Sequence, residues 1–236
     1  MTLLAPVSQA AAQPSCYSRV VNEWFCLDYL RDRHDELLDA SVQHLTITVA
    51  AVLAGLVLAL PLALLARRFA RLEGAVLGLS TALYTVPSLA LFPLLVPFTG
   101  LSPLTVVIGL ALYSLTVLVR NALEGLRAVP DEVRESAAGL GYSPLRMLTR
   151  IELPLALPVL MAGLRVATVS TVALTTVGAI VAYGGLGNLL ASGVQQDFKA
   201  QVLAASLLCV VLAVVLDLLL LLVQRMLTPW TRTVTA

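Results

Sequence analysis

The residues best able to do chemistry in this sequence form a charged segment inside an otherwise apolar chain. Residues 134–154, RESAAGLGYSPLRMLTRIELP, hold three arginines and two glutamates among glycines, prolines and small residues. Small side chains let another surface approach the backbone closely, and the flanking charges supply polar contacts. This combination favours docking of a partner protein. The alternative is an ordinary loop with a solvated charged face.

Other chemistry is poorly represented. A phosphate-cradling G-x-x-x-x-G-K-[ST] loop is absent, and the nearest glycine-rich piece, GGLG at 184–187, has no lysine. His34 and His44 are far apart in sequence, with no carboxylate motif around them and no C-x-x-C pair in the chain. The sequence therefore predicts no catalytic residue, no metal site and no cofactor held by this chain.

The elements that carry these residues must lie in a membrane. Of the 236 residues, 59% are hydrophobic and only 12% are charged, against about a quarter charged in soluble domains. A spanning helix needs ~20 mainly apolar residues, because its backbone must be hydrogen-bonded internally. We predict an all-α integral membrane protein with about five spans, at 45–66, 74–98, 103–119, 155–182 and 202–223. Pro87, Pro93 and Pro97 predict a kink late in the second span.

Positive charge is distributed unevenly between the two sides of these spans. Ten of the 15 lysines and arginines fall on one side: Arg67, Arg68, Arg71, Arg120, Arg127, Arg134, Arg146, Arg150, Arg225 and Arg232. Because basic residues in short loops are retained on the cytoplasmic side, the N-terminus is predicted outside and the C-terminus inside. The expected organisation is an extracytoplasmic segment (1–40), a membrane domain (41–228) with a cytoplasmic loop at 121–154, and a cytoplasmic tail (229–236).

The N-terminal segment has no basic stretch followed by an apolar core, so it does not resemble a signal peptide. Residues 23–40, EWFCLDYLRDRHDELLDA, suggest an amphipathic helix on the outer membrane surface with Trp24 at the interface, or else a partly ordered tail. Cys16 and Cys26 are both predicted outside, where a disulfide is permitted but not established by spacing. Cys209 is predicted to be a small packing residue within a span.

The charged segment contains two helix signals. Pro130 suits a first helical position, and Asp131 and Glu132 place negative charge at the positive end of the helix dipole. Gly139 and Gly141 predict the end of this helix, because glycine readily adopts the left-handed conformation. Ser143 and Pro144 then predict a second short helix over 144–153.

This segment resembles the EAA motif of permease subunits in bacterial binding-protein-dependent ABC importers. That motif reads E-A-A, three residues, G, nine residues, I-x-L-P. The spacing here is the same throughout: Glu135, Ser136, Ala137, Gly141, Ile151, Leu153 and Pro154. Ser136 in place of the first alanine is the one departure, and it keeps a small side chain. In these importers the loop is the coupling helix, here expected between the third and fourth spans.

The resemblance extends over about residues 44–196. IELPLALPVLMAGLR at 151–165 and VGAIVAYGGLGNLL at 177–190 look like the permeases that import glycine betaine, choline, carnitine and similar osmoprotectants. Methionine-importer permeases carry a similar glycine segment and are the alternative. The resemblance implies a bacterial inner-membrane, multi-pass subunit in membrane lipid. It also implies a second permease subunit, two cytoplasmic ATPase subunits that bind ATP and Mg, and an extracytoplasmic substrate-binding protein; no nucleic acid is expected.

Candidate pathway residues lie in and after the fourth span. Thr168, Thr171, Thr175 and Gly178 share one helical face, which predicts either helix packing or a path lining. Gly184, Gly185 and Gly187 break the helical pattern, so they are expected to form an outer gate or a flexible turn.

Two pairs of residues are further candidates within the spans. Arg165 and Asp217 are ionisable groups at similar predicted depth, and we expect them to pair. Tyr84 and Tyr113 are packing residues or ring faces for a quaternary ammonium.

Two rival classes remain at this point. A self-sufficient secondary transporter would need its own ion-coupling groups, for which Arg165 and Asp217 are little material, and no internal repeat is visible. A membrane scaffold would use the charged segment only to recruit a partner. The identity of the solute and of the second permease subunit is not readable from the sequence.

Overall fold

A computed structural model describes residues 15–230 of the chain. Residues 1–14 and 231–236 lie outside this range. The second range holds Arg232 and all but the first two residues of the predicted tail. Within it there are ten α-helices: α1 (Leu27–Asp32), α2 (His34–Arg68), α3 (Ala70–Thr85), α4 (Ser88–Thr99), α5 (Pro103–Arg127), α6 (Asp131–Gly139), α7 (Pro144–Met147), α8 (Leu153–Thr175), α9 (Leu186–Gln195) and α10 (Lys199–Leu227). A π-helical turn (Leu148–Glu152) precedes α8, and a 3₁₀ segment (Thr176–Val181) follows it.

The predicted all-α membrane architecture is confirmed. Four helical stretches are long and apolar enough to cross a bilayer, namely α2, α5, the continuous stretch from α7 to the end of the 3₁₀ segment, and α10. The bent pair α3 and α4 makes a fifth candidate. Each corresponds to one of the five apolar runs in the sequence.

Helices α2, α5 and α8 pack together and form the centre of the bundle. On α2, Ala59, Ala63 and Ala66 are fully buried against Val119 and Leu123 of α5. Small side chains at this spacing let the two backbones approach closely, which is the usual basis of helix association in a membrane.

The second predicted span differs from a simple kinked helix. Helix α3 ends at Thr85, α4 begins at Ser88, and the two axes form an angle of 100°. Val86 is extended, with ψ 126°, because the ring of a following proline disfavours the α conformation. Pro93 and Pro97, by contrast, lie within α4 and do not end it.

The predicted interfacial helix over residues 23–40 is divided in the structure. Helix α1 covers only Leu27–Asp32, and residues from His34 onward belong to α2, the first span. Leu37 is buried in one cluster with Cys26, Tyr29 and the start of α10, so packing continues α2 outward. Trp24 is exposed.

A disulfide joins Cys16 to Cys26, with 5.7 Å between their Cα atoms. Tyr29 packs edge-on against Phe198, with 5.2 Å between ring centroids. Burial raises the pKa of Tyr29 to about 12, so its phenol stays neutral. We call this end of the bundle the disulfide end, and the opposite end, where Arg67, Arg127 and Arg134 lie, the arginine-rich end.

Candidate functional site

The charged segment forms a helix, a glycine turn and a second helix at the arginine-rich end. Helix α6 begins at Asp131, one residue later than expected, and Pro130 is its N-cap. Gly141 has φ +79°, the left-handed conformation that glycine adopts without strain. The amides of Gly141 and Tyr142 donate to the carbonyls of Ala138 and Ala137 at 2.9 and 3.1 Å, which closes the helix as predicted.

The second helix of the segment differs from its prediction. A separate helix over 144–153 was expected, but α7 continues through the π-helical turn into α8. Pro154 lies in the first turn of α8 and does not interrupt the helix. The Leu153 amide donates to the Leu148 carbonyl, five residues earlier. A wider turn at this point accommodates a proline ring that a regular helix interior would not.

The motif residues are divided between the surface and the bundle. Glu135, Ser136 and Gly141 are exposed, whereas Ala137 is buried. Ile151, Leu153 and Pro154 are half-buried at the head of the fourth span. The motif thus links an exposed loop directly to a spanning helix.

Two leucines that sequence reasoning missed give this loop an apolar surface. Leu140 is 79% exposed and Leu145 is 71% exposed, on either side of Gly141. Their positions outside the spans, next to the charged residues, were the available signal. Large apolar side chains exposed outside the spans favour an interaction site.

Sequence reasoning also missed Glu152, the variable position of the I-x-L-P motif. Its carboxylate is buried, with 5% of the residue exposed. Arg67, at the end of α2, donates to both carboxylate oxygens, one of them at 2.8 Å. Arg134 of α6 donates from Nε to Oε1 at 3.0 Å. A lone acidic residue at the start of an apolar run was the signal for this contact.

Arg134 makes further contacts that hold α6 in place. Its two other guanidinium nitrogens donate to Asp131 Oδ1 at 2.7 Å and to the Leu126 carbonyl of α5 at 2.6 Å. We call Arg67, Arg134 and Glu152 the carboxylate clamp. Through this clamp and the bond to Leu126, α6 is linked to α2, to α5 and to the head of α8.

The threonine face of α8 points into the subunit. Thr168, Thr171 and Thr175 are buried, and each hydroxyl donates to the carbonyl four residues earlier at 2.7 to 2.8 Å. Thr175 also lies 3.1 Å from the Thr48 hydroxyl of α2. Gly178 is buried beside Val106 of α5. In this structure these four residues pack between helices, and a path-lining role stays a prediction.

The glycine segment is closely packed. Gly184, Gly185 and Gly187 are buried. Gly185 has φ +56°, and a Cβ there would lie 2.7 Å from His44. The His44 ring, itself fully buried, lies 3.2 Å through Nδ1 from the Gly184 carbonyl and 2.9 Å through Nε2 from the Val172 carbonyl. The segment is therefore held against α2 and α8.

The expected ion pair between the fourth and fifth spans is present. Arg165 donates from Nε and Nη2 to the two carboxylate oxygens of Asp217, each at 2.8 Å. A bidentate pair of this kind fixes the orientation of both helices. The pairing supports a structural role for the two residues.

Fold and site together define a class of protein: a multi-pass helical membrane protein that presents an exposed helical loop, bonded to its spans, at one end. The sequence profile of the family described as "Binding-protein-dependent transport system inner membrane component" matches residues 51–233. The chain belongs to this family. It is an inner-membrane transport component, as its resemblance to the permeases implied.

Similar proteins agree with this assignment. The osmoprotectant import permease protein OsmW of Salmonella typhimurium is 36% identical over 208 residues, covering 86% of this chain and 97% of the relative. The choline transport system permease protein OpuBB of Bacillus subtilis is 31% identical over 203 residues, covering 86% and 94%. A chain of the MetNI methionine ABC transporter, in an inward-facing conformation, superposes with a TM-score of 0.71 at 21% identity, covering 87% and 99%, which shows a shared fold.

Proposed function

We propose that this chain is the permease subunit of an ATP-driven importer for quaternary-amine osmoprotectants such as glycine betaine, choline or carnitine. The observation that carries the proposal is the exposed coupling loop, joined to three helices of the bundle by the carboxylate clamp. An apolar docking surface at Leu140 and Leu145 has no purpose in a self-sufficient transporter.

The solute class rests on the relatives at 29 to 36% identity, whose names refer to choline, carnitine, glycine betaine or osmoprotectants. Methionine, the alternative, is supported only by a shared fold at 21% identity. A quaternary ammonium carries a charge that it cannot lose and donates no hydrogen bond. Aromatic ring faces attract such a cation, so a site for it can be built from them.

The proposed assembly holds two permease subunits, two cytoplasmic ATPase subunits and an extracytoplasmic binding protein. ATP and Mg are bound by the ATPases, since this sequence has no phosphate-binding loop. We place the arginine-rich end in the cytoplasm, where Leu140 and Leu145 seat α6 and the glycine turn in a groove of the ATPase.

The carboxylate clamp gives this assembly a mechanical link. When the ATPases close on ATP, they displace α6. Arg134 then transmits the displacement through Glu152 to the head of α8 and through Arg67 to the end of α2. The spans thereby change between inward-facing and outward-facing arrangements. The second permease subunit is a second copy of this chain or a close relative.

Purification of the chain from its native membrane in mild detergent tests the proposal. We expect an ATPase subunit in equal ratio, ATP hydrolysis stimulated by the binding protein, and ATP-dependent uptake of radiolabelled choline or glycine betaine in proteoliposomes. A chain that purifies alone and moves solute without ATP contradicts it and favours a secondary transporter. A complex that binds an ATPase but shows no ATP hydrolysis stimulated by the binding protein favours a scaffold.

A further inference from the structure

The break between α3 and α4 lies inside the candidate span that the two helices form together. Glu73 of α3 and Arg127 of α5 form an ion pair at the arginine-rich end. Tyr84 lies eleven residues beyond Glu73 in the same helix, which is a rise of about 16 Å. The hydrocarbon core of a bilayer is about 30 Å thick, so the turn at Val86 and Pro87 falls inside it.

A break at that depth limits what can surround it. Non-helical backbone inside a membrane is tolerated only where protein covers it or where it lines a water-filled cavity. On this subunit Thr85 and Pro87 at the break are exposed. In the assembled transporter we therefore expect protein or water, and not lipid, to cover this surface.

The exposed side of the break is hydroxylated. Tyr84 and Thr85 follow Thr81 by three and four residues, so the three residues share one face of α3. All three are exposed. We call them the hydroxyl face. Its neighbour Ser80 is buried, and the Ser80 carbonyl accepts a hydrogen bond from Thr116 of α5 at 2.6 Å. Helix α3 thus packs on α5 at Ser80, while the side chains of Thr81, Tyr84 and Thr85 remain exposed.

The ring of Tyr84 is held in a defined position on this face. Tyr84 is 50% exposed, and its ring meets that of Tyr113 edge to face, with 5.8 Å between centroids and 78° between planes. Tyr113 is buried and donates its hydroxyl to the Val86 carbonyl at the break. Tyr113 therefore stabilises both the bend and the ring that projects beside it.

We propose that the hydroxyl face lines the translocation pathway and that the ring of Tyr84 contacts the quaternary ammonium group of the solute. Hydroxyl groups suit a hydrated path, and an aromatic face attracts a cation that cannot be hydrogen-bonded. The threonine face of α8, the other candidate lining, is buried inside the subunit. The inference rests on the proposed function for its solute.

Water accessibility tests the placement. In a Cys209→Ala background of the full complex, Thr85→Cys is compared with Val214→Cys, which lies exposed in the middle of the α10 span. A membrane-impermeant thiol reagent should modify Thr85→Cys at least about 10-fold faster, because thiolates form in water and not in hydrocarbon. Equal, slow modification of both positions overturns the placement.

Uptake tests the role of the ring. In proteoliposomes with the complete complex and its binding protein, Tyr84→Leu should lower ATP-dependent uptake of radiolabelled choline about 5- to 30-fold, the range from a strong exposed cation–π contact to a desolvated one. Tyr84→Phe keeps the ring and should restore most of the uptake. Leu79→Ala, an exposed position on another side of α3, is the matched control.

The outcomes separate this inference from the proposed function. If the unmodified complex hydrolyses ATP but transports neither choline nor glycine betaine, the proposed solute class is wrong. If the unmodified complex transports choline and Tyr84→Leu transports it equally well, only the role of Tyr84 is wrong. Copurified ATPase subunits and an unchanged melting temperature show that the leucine variant is assembled.

Discussion

Replacing Glu152 with glutamine should uncouple ATP hydrolysis from transport. The substitution removes the charge of a carboxylate that accepts hydrogen bonds from Arg67 and Arg134, and it keeps a single acceptor oxygen. Breaking a buried ion pair costs about 3–5 kcal/mol. The two arginine side chains are about one-quarter exposed, so solvation of their guanidinium groups offsets part of this cost. We expect a loss of about 2–3 kcal/mol in the free energy of unfolding.

The expected functional result follows from where Glu152 lies. It is buried at the head of α8 and forms no part of the exposed surface at Leu140 and Leu145. ATPase subunits should therefore still copurify with the Glu152→Gln variant. Stimulation of ATP hydrolysis by the binding protein should fall toward the unstimulated rate, and solute moved per ATP should fall with it.

Asp131→Asn is the matched control. Asp131 also pairs with Arg134, at 2.7 Å, but its side chain is 81% exposed. Exposed ion pairs contribute about 0–1 kcal/mol, so this variant should keep its stability and its stimulated ATP hydrolysis. Equal behaviour of the Asp131 and Glu152 variants would refute the carboxylate clamp.

A double-mutant cycle checks that the effect passes through Arg134. Arg134→Met and Glu152→Gln should be non-additive by at least about 1 kcal/mol in the free energy of unfolding, because the two groups share one network. Stimulated ATP hydrolysis in the double variant should be no lower than in the worse single variant. Additive losses in both measurements would mean that the two residues act separately.

Three further predictions concern other contacts. Gly141→Val should reduce copurified ATPase but not membrane insertion, because φ +79° strains a branched residue by about 1–2 kcal/mol; an unchanged ATPase ratio argues against docking at this turn. Thiol labelling without reductant should modify neither Cys16 nor Cys26, and reduction should lower the free energy of unfolding by about 2–3 kcal/mol; labelling of Cys16 or Cys26 in the untreated protein contradicts the disulfide. Arg165→Met should lower the melting temperature by leaving Asp217 unpaired, and adding Asp217→Leu should restore it; no rescue means that the pair has a role beyond helix packing.

Much of the architecture was readable from the sequence, because a bilayer demands long apolar helices with internally satisfied backbones. The five apolar runs each became a span or the bent pair. The glycine turn at Gly141 was predictable because a left-handed residue closes α6 there. The pairing of Arg165 with Asp217 was predictable from their similar depth, since an isolated charge in a membrane is costly.

Other features depend on contacts between residues distant in sequence. Periodicity showed that Thr168, Thr171 and Thr175 share a face, but only packing against α2 decided that this face is buried. Glu152 and Arg67 are separated by 85 residues, and no local pattern joins them. The continuity of α7 with α8 likewise escaped the local start signals, which predicted a separate short helix over 144–153.

The sequence by itself determined that this is a helical membrane protein, where its spans lie and which loop carries the permease motif. Those properties follow from hydrophobicity and local backbone preference, which each segment expresses alone. The tertiary structure decided which faces meet and which stay open: the carboxylate clamp, the closely packed glycines beside His44, and the hydroxyl face at the break in the second span. These depend on the relative rotation and depth of neighbouring helices, which no single segment specifies.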